Sequence, residues 1–276
     1  MITRLYRILL NGWTIGYNLN DLANYLKFLF SARSCCADVN LVNTFTYQYV
    51  VISLPFRIDR RNFITEQFNK LGITFRFLDA IHGRSQKSLV VNTGFINLNL
   101  LRYLSNGSLG CIASHIKAWR ELLKSGQDFY LIFEDDVVLN KTEPEITILL
   151  KQLPEDFEIA YLGHGSIDSR LNVKKISASL GRPFSIRKGA YGYCISKKGA
   201  ANILKQIAQI NIVNGGLDTI LGILLMRKKI NGYVFLPSLC TVEPNFTSNI
   251  RNLSVQSKRL HYTEFHEWSS YHQIFD

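Results

Sequence analysis

Phe129-Tyr130-Leu131-Ile132-Phe133-Glu134-Asp135-Asp136 is the stretch on which the reading of this chain turns. An unbroken apolar run of this length fits a strand covered on both faces, as at the centre of a parallel sheet. A carboxylate triplet follows without a break. Adjacent acids repel one another unless a cation or water intervenes. At the C-terminal end of a central strand they would face the crevice where open α/β sheets bind ligands. Residues i and i+2 of an extended segment point the same way, so Glu134 and Asp136 are expected to share one hard cation. Oxygen donors suit Mg²⁺ or Mn²⁺, ions that also bridge to substrate phosphates. The alternative is a solvated acidic turn.

The neighbours of this strand extend the same pattern. Upstream, Tyr49 to Leu54 reads as a buried strand, Arg60 to Leu71 as a helix stopped by Gly72, and Thr74 to Leu78 as a second strand. Strand, helix, strand over so short a span is a βαβ unit with parallel pairing. A helix over Leu109 to Leu123, with Ser108 as N-cap, leads into the decisive strand. Downstream, a helix is expected over Glu145 to Leu153 and strands over Ile159 to Leu162 and Ala190 to Ile195. Two helices follow over Lys197 to Ile207 and Asp218 to Met226, then a strand over Tyr233 to Leu236. The alternation predicts one α/β domain over residues 47–252, with a mostly parallel sheet flanked by helices and an irregular C-terminal part. Residues 1–46 read as an extension. Leu19, Leu22, Ala23, Leu26, Leu29 and Phe30 recur there at helical spacing, so an amphipathic helix would dock on the domain or on a membrane surface. Residues 253–276 read as a polar tail.

Composition narrows the partners. The 276 residues are 47% hydrophobic and 19% charged, which allows a sizeable core. The formal net charge is +11, which favours an anionic partner. No block of Lys and Arg resembles a nucleic-acid tail, and no nucleic acid is expected. The five cysteines, Cys35, Cys36, Cys111, Cys194 and Cys240, contain no C-x-x-C pair, so reduced, mostly buried thiols are expected. No apolar run is long enough to span a bilayer, and Asn11 and Gly12 interrupt the short run at Ile8 to Leu10. No signal peptide is expected. A G-x-x-x-x-G-K-[ST] phosphate loop is lacking.

Several other residues can carry chemistry, each with a plainer alternative. Arg57-Ile58-Asp59-Arg60-Arg61 follows the first strand and opens a helix, where guanidinium groups suit a nucleotide phosphate. Capping by Asp59 and solvated arginines explain it equally well. His115 lies on an apolar helix face with Cys111, Ala118, Trp119 and Leu122, where a hydrogen-bonded core histidine is the commoner outcome. Asp218 follows Gly215-Gly216-Leu217 at a helix start, a place that favours a cap, although a general base could be presented there too. Gly189-Ala190-Tyr191-Gly192-Tyr193 joins small and aromatic residues that could meet a sugar or base, or form a plain strand with a bulge. Gly163-His164-Gly165 reads as a turn.

Together these segments resemble glycosyltransferase family 25, the lipopolysaccharide and lipooligosaccharide glycosyltransferases, which include the collagen galactosyltransferases. Ser53-Leu54-Pro55-Phe56-Arg57-Ile58-Asp59-Arg60-Arg61 is similar to the family's opening pattern, and Phe77-Leu78-Asp79-Ala80-Ile81-His82-Gly83 to its next strand. Gly107-Ser108-Leu109-Gly110-Cys111-Ile112-Ala113-Ser114-His115 resembles G-x-x-G-C-x-x-S-H. Leu131 to Val137 resembles L-I-x-E-D-D-V. The Gly189 to Tyr193 segment, Asp218 and the closing Phe246-Thr247-Ser248-Asn249-Ile250 fall in the family's order. An acidic or Gln residue expected near the close is represented at most by Glu243.

The resemblance implies a GT-A-like (Rossmann-like) fold in which the acidic triplet stands for a D-x-D motif. Glu134 and Asp136 would hold Mn²⁺ or Mg²⁺. Arg57, Asp59, Arg61, Asp79, His115, Asp135, Gly189 and Tyr191 would lie by a UDP-sugar donor. Asp218 would be the base of an inverting transfer of a hexose, galactose from UDP-galactose, to a lipid-linked oligosaccharide acceptor in lipooligosaccharide or lipopolysaccharide synthesis. A cytoplasmic enzyme held peripherally on the anionic inner membrane would fit the basic charge. Two rival classes are a basic nucleic-acid- or membrane-binding protein without catalysis, and a metal-dependent nucleotidyltransferase.

Overall fold

The computed structural model describes residues 45–86, 104–164, 173–186, 188–207 and 216–246, with positions 23 and 27 also helical. Contacts divide the chain into two compact units, Met1–Phe246 and Thr247–Asp276, and the described residues all belong to the first. Most of the expected 1–46 extension, Gly165, Gly215, the closing stretch beyond Phe246 and the 253–276 tail lie outside the described residues.

The βαβ unit is present as expected. Strand β1 (Tyr47–Ser53) pairs in parallel with β2 (Phe75–Asp79), and helix α1 (Ile58–Lys70) connects them. Helix α1 buries Arg60, Ile64 and Phe68, spaced four apart on one face. Gly72, at φ +72°, takes the left-handed turn that ends it. The decisive strand is β3 (Phe129–Glu134). It pairs in parallel with β1, and its five apolar residues are all buried. Its Phe133 ring stacks on Tyr49 at 6.2 Å and meets Phe68 edge-on at 5.6 Å, joining strand to helix through aromatic area.

Helix α2 (Asn106–Lys124) precedes β3 and buries Ile112, Ile116, Trp119 and Leu122 among others. Its N-cap is Ser105, whose Oγ accepts from the Ser108 N–H at 3.1 Å. This corrects the Ser108 expectation: the hydrogen-bonded turn closes three residues earlier, and Ser108 is already inside the helix. The first turns of α2 press against the loop after β2. A Cβ on Gly110 would lie 2.4 Å from the Ile81 carbonyl oxygen, so only glycine fits at this approach.

The remaining elements are β4 (Val137–Leu139), α3 (Glu143–Leu150), β5 (Ile159–Tyr161), β6 (Val173–Lys175), β7 (Leu180–Pro183), β8 (Gly192–Ser196), α4 (Lys197–Ile207), α5 (Gly216–Met226), β9 (Gly232–Phe235) and β10 (Cys240–Val242). The main sheet has eight strands in the order β2-β1-β3-β8-β5-β9-β7-β6. The pairings set β7 and β8 against the common direction of the other six, so the sheet is mostly parallel with two reversed strands. The short hairpin β6–β7 and the separate pair β4–β10 have too few residues to show a clear period in sequence. Among the described residues no helix is long and apolar enough to cross a membrane. Cys111, Cys194 and Cys240 are free thiols, as expected, and Cys35 and Cys36 lie outside the described residues.

Candidate active site

The parallel register brings several predicted residues to one end of the sheet. Ser53 lies opposite Asp79, and Ile52 opposite Glu134, so β1, β2 and β3 finish together. Strand β8 runs in from that end, with Gly192 opposite Phe133. The Glu134 N–H donates to the Tyr191 carbonyl at 3.0 Å, which sets the Gly189–Tyr191 segment against the acids. That segment is loop and turn, not the start of a strand as expected. The reason is local: the N–H groups of Gly189 and Ala190 both donate to Asp218 Oδ1, at 3.0 and 2.9 Å, instead of to a neighbouring strand. Asp218 sits in the first turn of α5 yet ties down this distant loop, so simple capping is not its role. The Tyr191 ring rests on Gly163, where a Cβ would come within 2.2 Å of its Cε2.

The acidic triplet departs from its expected geometry. Strand β3 ends at Glu134, and Asp135 and Asp136 form the turn into β4. The same-side rule for extended residues therefore does not govern this segment. Glu134 reaches towards α2: its Oε1 is 3.6 Å from His115 Nε2 and accepts from Cys111 Sγ at 3.7 Å. Asp135 is turned inward. Ser53 Oγ donates to its Oδ2 at 2.8 Å, and Arg60 Nη1 donates to its Oδ1 at 2.6 Å. Each oxygen of Asp135 thus accepts a hydrogen bond within the fold. The same Arg60 nitrogen lies 3.2 Å from Asp136 Oδ2. Asp136 Oδ1 is buried without a hydrogen-bond partner among the described residues.

Arg60 is the residue that the sequence reading left out of the site. It is 3% exposed, stands over the Phe246 ring at 5.0 Å, and joins α1 to the acids. The signal was available. Arg60 shares its helix face with Ile64 and Phe68, and a charge on a buried face needs a buried partner.

Electrostatics follow from this crowding. Burial and the Glu134 charge push the Asp136 carboxyl up to about 6, against the pull of Arg60. Burial also raises Asp218, helped by the Glu134 charge and opposed by the Gly189 and Ala190 N–H groups. Burial works to raise Glu134 as well, but the His115 ring 3.6 Å away, with the Cys111 thiol and the Arg60 charge, outweighs it and holds the carboxyl below the usual range. His115 itself is fully buried, and its Nδ1 lies 2.7 Å from the Tyr193 hydroxyl.

The basic motif forms a second group beside the first. Arg57 binds Asp59 through two hydrogen bonds, at 2.9 and 2.7 Å, which hold the Asp59 carboxyl down to about 2. Arg61 bridges Asp79 at 2.5 Å and the Ser53 carbonyl at 3.1 Å, with its guanidinium 4.8 Å from the Phe77 ring centre. A cleft of about 740 Å³ opens at this edge, lined by Leu54, Phe56, Asp79, His82 and Lys117 among others. Asp79 is the predicted site residue that lines it, so cleft and acid cluster are neighbours rather than one cavity.

The acid group has carboxylate oxygens of the kind that a hard divalent ion would need. Asp136 presents an unsatisfied buried oxygen, and Glu134 engages His115 and Cys111 through Oε1 while 30% of its side chain stays exposed. Carboxylate oxygens of this kind suit Mg²⁺ or Mn²⁺.

The chain is similar to known proteins over this same region. Residues 46–219 match the model of glycosyltransferase family 25 (LPS biosynthesis protein). The lipooligosaccharide biosynthesis protein lic2B of Haemophilus influenzae is 27% identical over 169 residues, 58% of this chain and 63% of that protein. The lacto-N-neotetraose biosynthesis glycosyltransferase LgtB of Neisseria meningitidis serogroup B is 26% identical over 229 residues, 80% of this chain and 78% of that protein. The inactive glycosyltransferase 25 family member 3 of Homo sapiens is 29% identical over 174 residues, 56% of this chain and 28% of that protein. The chain thus spans less than two thirds of the length of some curated relatives. With more than half its residues covered by the family model, and with the motif segments gathered at one sheet edge, the chain belongs to glycosyltransferase family 25.

Proposed function

We propose that this chain is a glycosyltransferase of lipooligosaccharide or lipopolysaccharide synthesis that moves a hexose, galactose from UDP-galactose, onto an oligosaccharide acceptor with inversion. Family membership supports transfer of a sugar, and the names of lic2B and LgtB favour a surface-glycan acceptor. The observation that carries the reading is the buried, unsatisfied Asp136 Oδ1 beside Glu134 and Asp218 at the C-terminal edge of the sheet. A nucleotide-sugar with a GT-A-type arrangement would use this edge.

Glu134 and Asp136 would hold Mn²⁺ or Mg²⁺. Such an ion, when bound, neutralises charge developing on the departing diphosphate. The chain's own residues supply the rest. Arg60 fixes Asp135 and Asp136 in place through α1. Arg57 and Arg61 offer guanidinium groups at the neighbouring strand ends, where a nucleotide would lie. The Gly189–Tyr191 loop, held by Asp218 Oδ1, would line the donor sugar. Asp218 would take the proton of the acceptor hydroxyl through its other oxygen, a task that its raised pKa suits. A basic surface would keep the enzyme on an anionic leaflet.

The test is UDP release from a panel of UDP-sugars, with Mn²⁺, with Mg²⁺ and after EDTA. UDP-galactose should be turned over with metal and not after chelation, and Asp136→Asn should abolish turnover while remaining folded. Full activity in EDTA would reject the metal site. Salt-sensitive binding to anionic vesicles or nucleic acid, with no UDP-sugar turned over, would favour a binding protein instead.

A further inference from the structure

Behind Glu134 lies a buried polar chain that the transfer reading leaves without a task. Trp119 Nε1 donates to the Tyr193 hydroxyl at 2.9 Å, and that hydroxyl lies 2.7 Å from His115 Nδ1. The His115 ring is stacked on Tyr193 with centroids 5.7 Å apart, and its buried Nε2, without a hydrogen-bond partner among the described residues, lies 3.6 Å from Glu134 Oε1, a few tenths of an ångström beyond hydrogen-bond reach. Trp119, Tyr193 and His115 are all completely shielded from solvent. Polar atoms in such a place are costly unless their protons are matched.

Counting protons fixes the arrangement. An indole nitrogen can only donate, so the Tyr193 oxygen is the acceptor for Trp119. The tyrosine hydroxyl has one proton of its own to give, and the acceptor within reach among the described residues is His115 Nδ1. If Nδ1 accepts, the ring proton sits on Nε2 and points at the Glu134 carboxylate. The opposite tautomer would give Tyr193 two donors to accept from and leave its own proton without a place.

We propose that Trp119 and Tyr193 are positioning residues that lock His115 as the Nε2–H tautomer, and that this otherwise unpartnered N–H closes on the Glu134 carboxylate and so holds it in one orientation at the sheet edge. The consequence for Glu134 rests on the transfer reading given above, whereas the tautomer stands apart from it. A carboxylate gripped at Oε1 turns its second oxygen to a fixed place, as outer-shell partners do for metal-binding carboxylates. The same proton count argues against another use of the cluster. Cys111 Sγ, His115 Nε2 and Glu134 Oε1 lie within 4.8 Å of one another, a donor set that would suit Zn²⁺. A protonated Nε2 has no lone pair for such an ion.

Long-range ¹⁵N–¹H correlation spectra of the full chain read the tautomer directly. The expected result is Nε2–H in the wild type, and its loss or mixing in Tyr193→Phe. Mn²⁺ affinity, followed by electron paramagnetic resonance, should fall about tenfold or more in Tyr193→Phe. It should stay near the wild-type value in His115→Gln, whose amide can still donate to Glu134, and drop in His115→Leu. An Nδ1–H tautomer in the wild type overturns the proposal, and needs no variant to fold. So does a folded Tyr193→Phe with unchanged tautomer and Mn²⁺ affinity. A Co²⁺ complex with a thiolate charge-transfer band that Cys111→Ser removes would also overturn it, in favour of a soft-metal site. None of these readouts uses a sugar donor. The predicted tautomer together with no turnover of any UDP-sugar would reject the transfer reading and leave the chain standing.

Discussion

At the residue scale, Asp135 and Asp136 share one buried cation, Arg60, and their fates differ. Asp135 has both oxygens bound, by Arg60 and Ser53, whereas Asp136 keeps one oxygen unsatisfied. Removing Arg60 would strand a buried carboxylate. Arg60→Met is expected to destabilise the fold by about 3–5 kcal/mol, measured by urea unfolding, and adding Asp135→Asn should recover part of that loss. A loss no larger than that of an exposed ion pair would mean that Arg60 is not the partner of these acids. Asp218 calls for a subtler change. In Asp218→Asn the amide oxygen can still accept from Gly189 and Ala190, so the loop should hold while the basic oxygen is lost. The expected outcome is a kcat lowered by about 10²–10⁴ with a nearly unchanged KM for UDP-galactose. An unaltered kcat would remove Asp218 from the chemistry.

At the scale of elements, helix ends set where the site residues stand. Helix α3 is anchored by Glu145: Lys141 Nζ donates to its Oε1 at 2.8 Å, and the Thr142 N–H and hydroxyl donate to its Oε2, each at 2.8 Å. Lys141 first, and then these Thr142 groups, hold the carboxyl down to about 2 from its ordinary 4.5. A depressed acid stabilises the fold above its unfolded value and stops doing so as pH falls through its folded value. The first turn of α3 should therefore keep its anchor at pH 4.5 and lose it as pH drops through about 2. The Thr142 amide shift should titrate with that midpoint, and a midpoint at the ordinary glutamate value would contradict the capping role. Much of this level could be read in the chain. The βαβ unit, α4 and the position of β3 follow from hydrophobic period and from Gly72. The Ser105 cap was missed because Ser105 and Ser108 are equally good caps by type, and only the closing hydrogen bond separates them.

At the scale of the molecule, the sheet edge gathers polar and charged side chains from β1, β3, α1, α2 and α5 that are far apart in sequence. Such a cluster of acids gains by accepting a cation. Mn²⁺ at a hundred times its Kd is expected to raise the unfolding free energy by about 2.7 kcal/mol, seen as a higher Tm in a thermal scan. The rise should vanish in Asp136→Asn. An equal rise in that variant would place the ion elsewhere.

The sequence by itself determined that a buried strand runs into three acids, that a parallel βαβ unit lies beside it, and which polar residues could meet at its end. These are matters of local period and residue type, which a chain carries wherever it folds. Tertiary structure alone decided the pairings: Arg60 with Asp135 and Asp136, Asp218 with the Gly189–Ala190 loop, and His115 with both Tyr193 and Glu134. The Asp218 and Tyr193 pairings depend on the reversed strand β8 and the loop that enters it, and the others on helices packed across the sheet. A buried charge takes the partner that the packing brings near, and that partner is not written in its own segment.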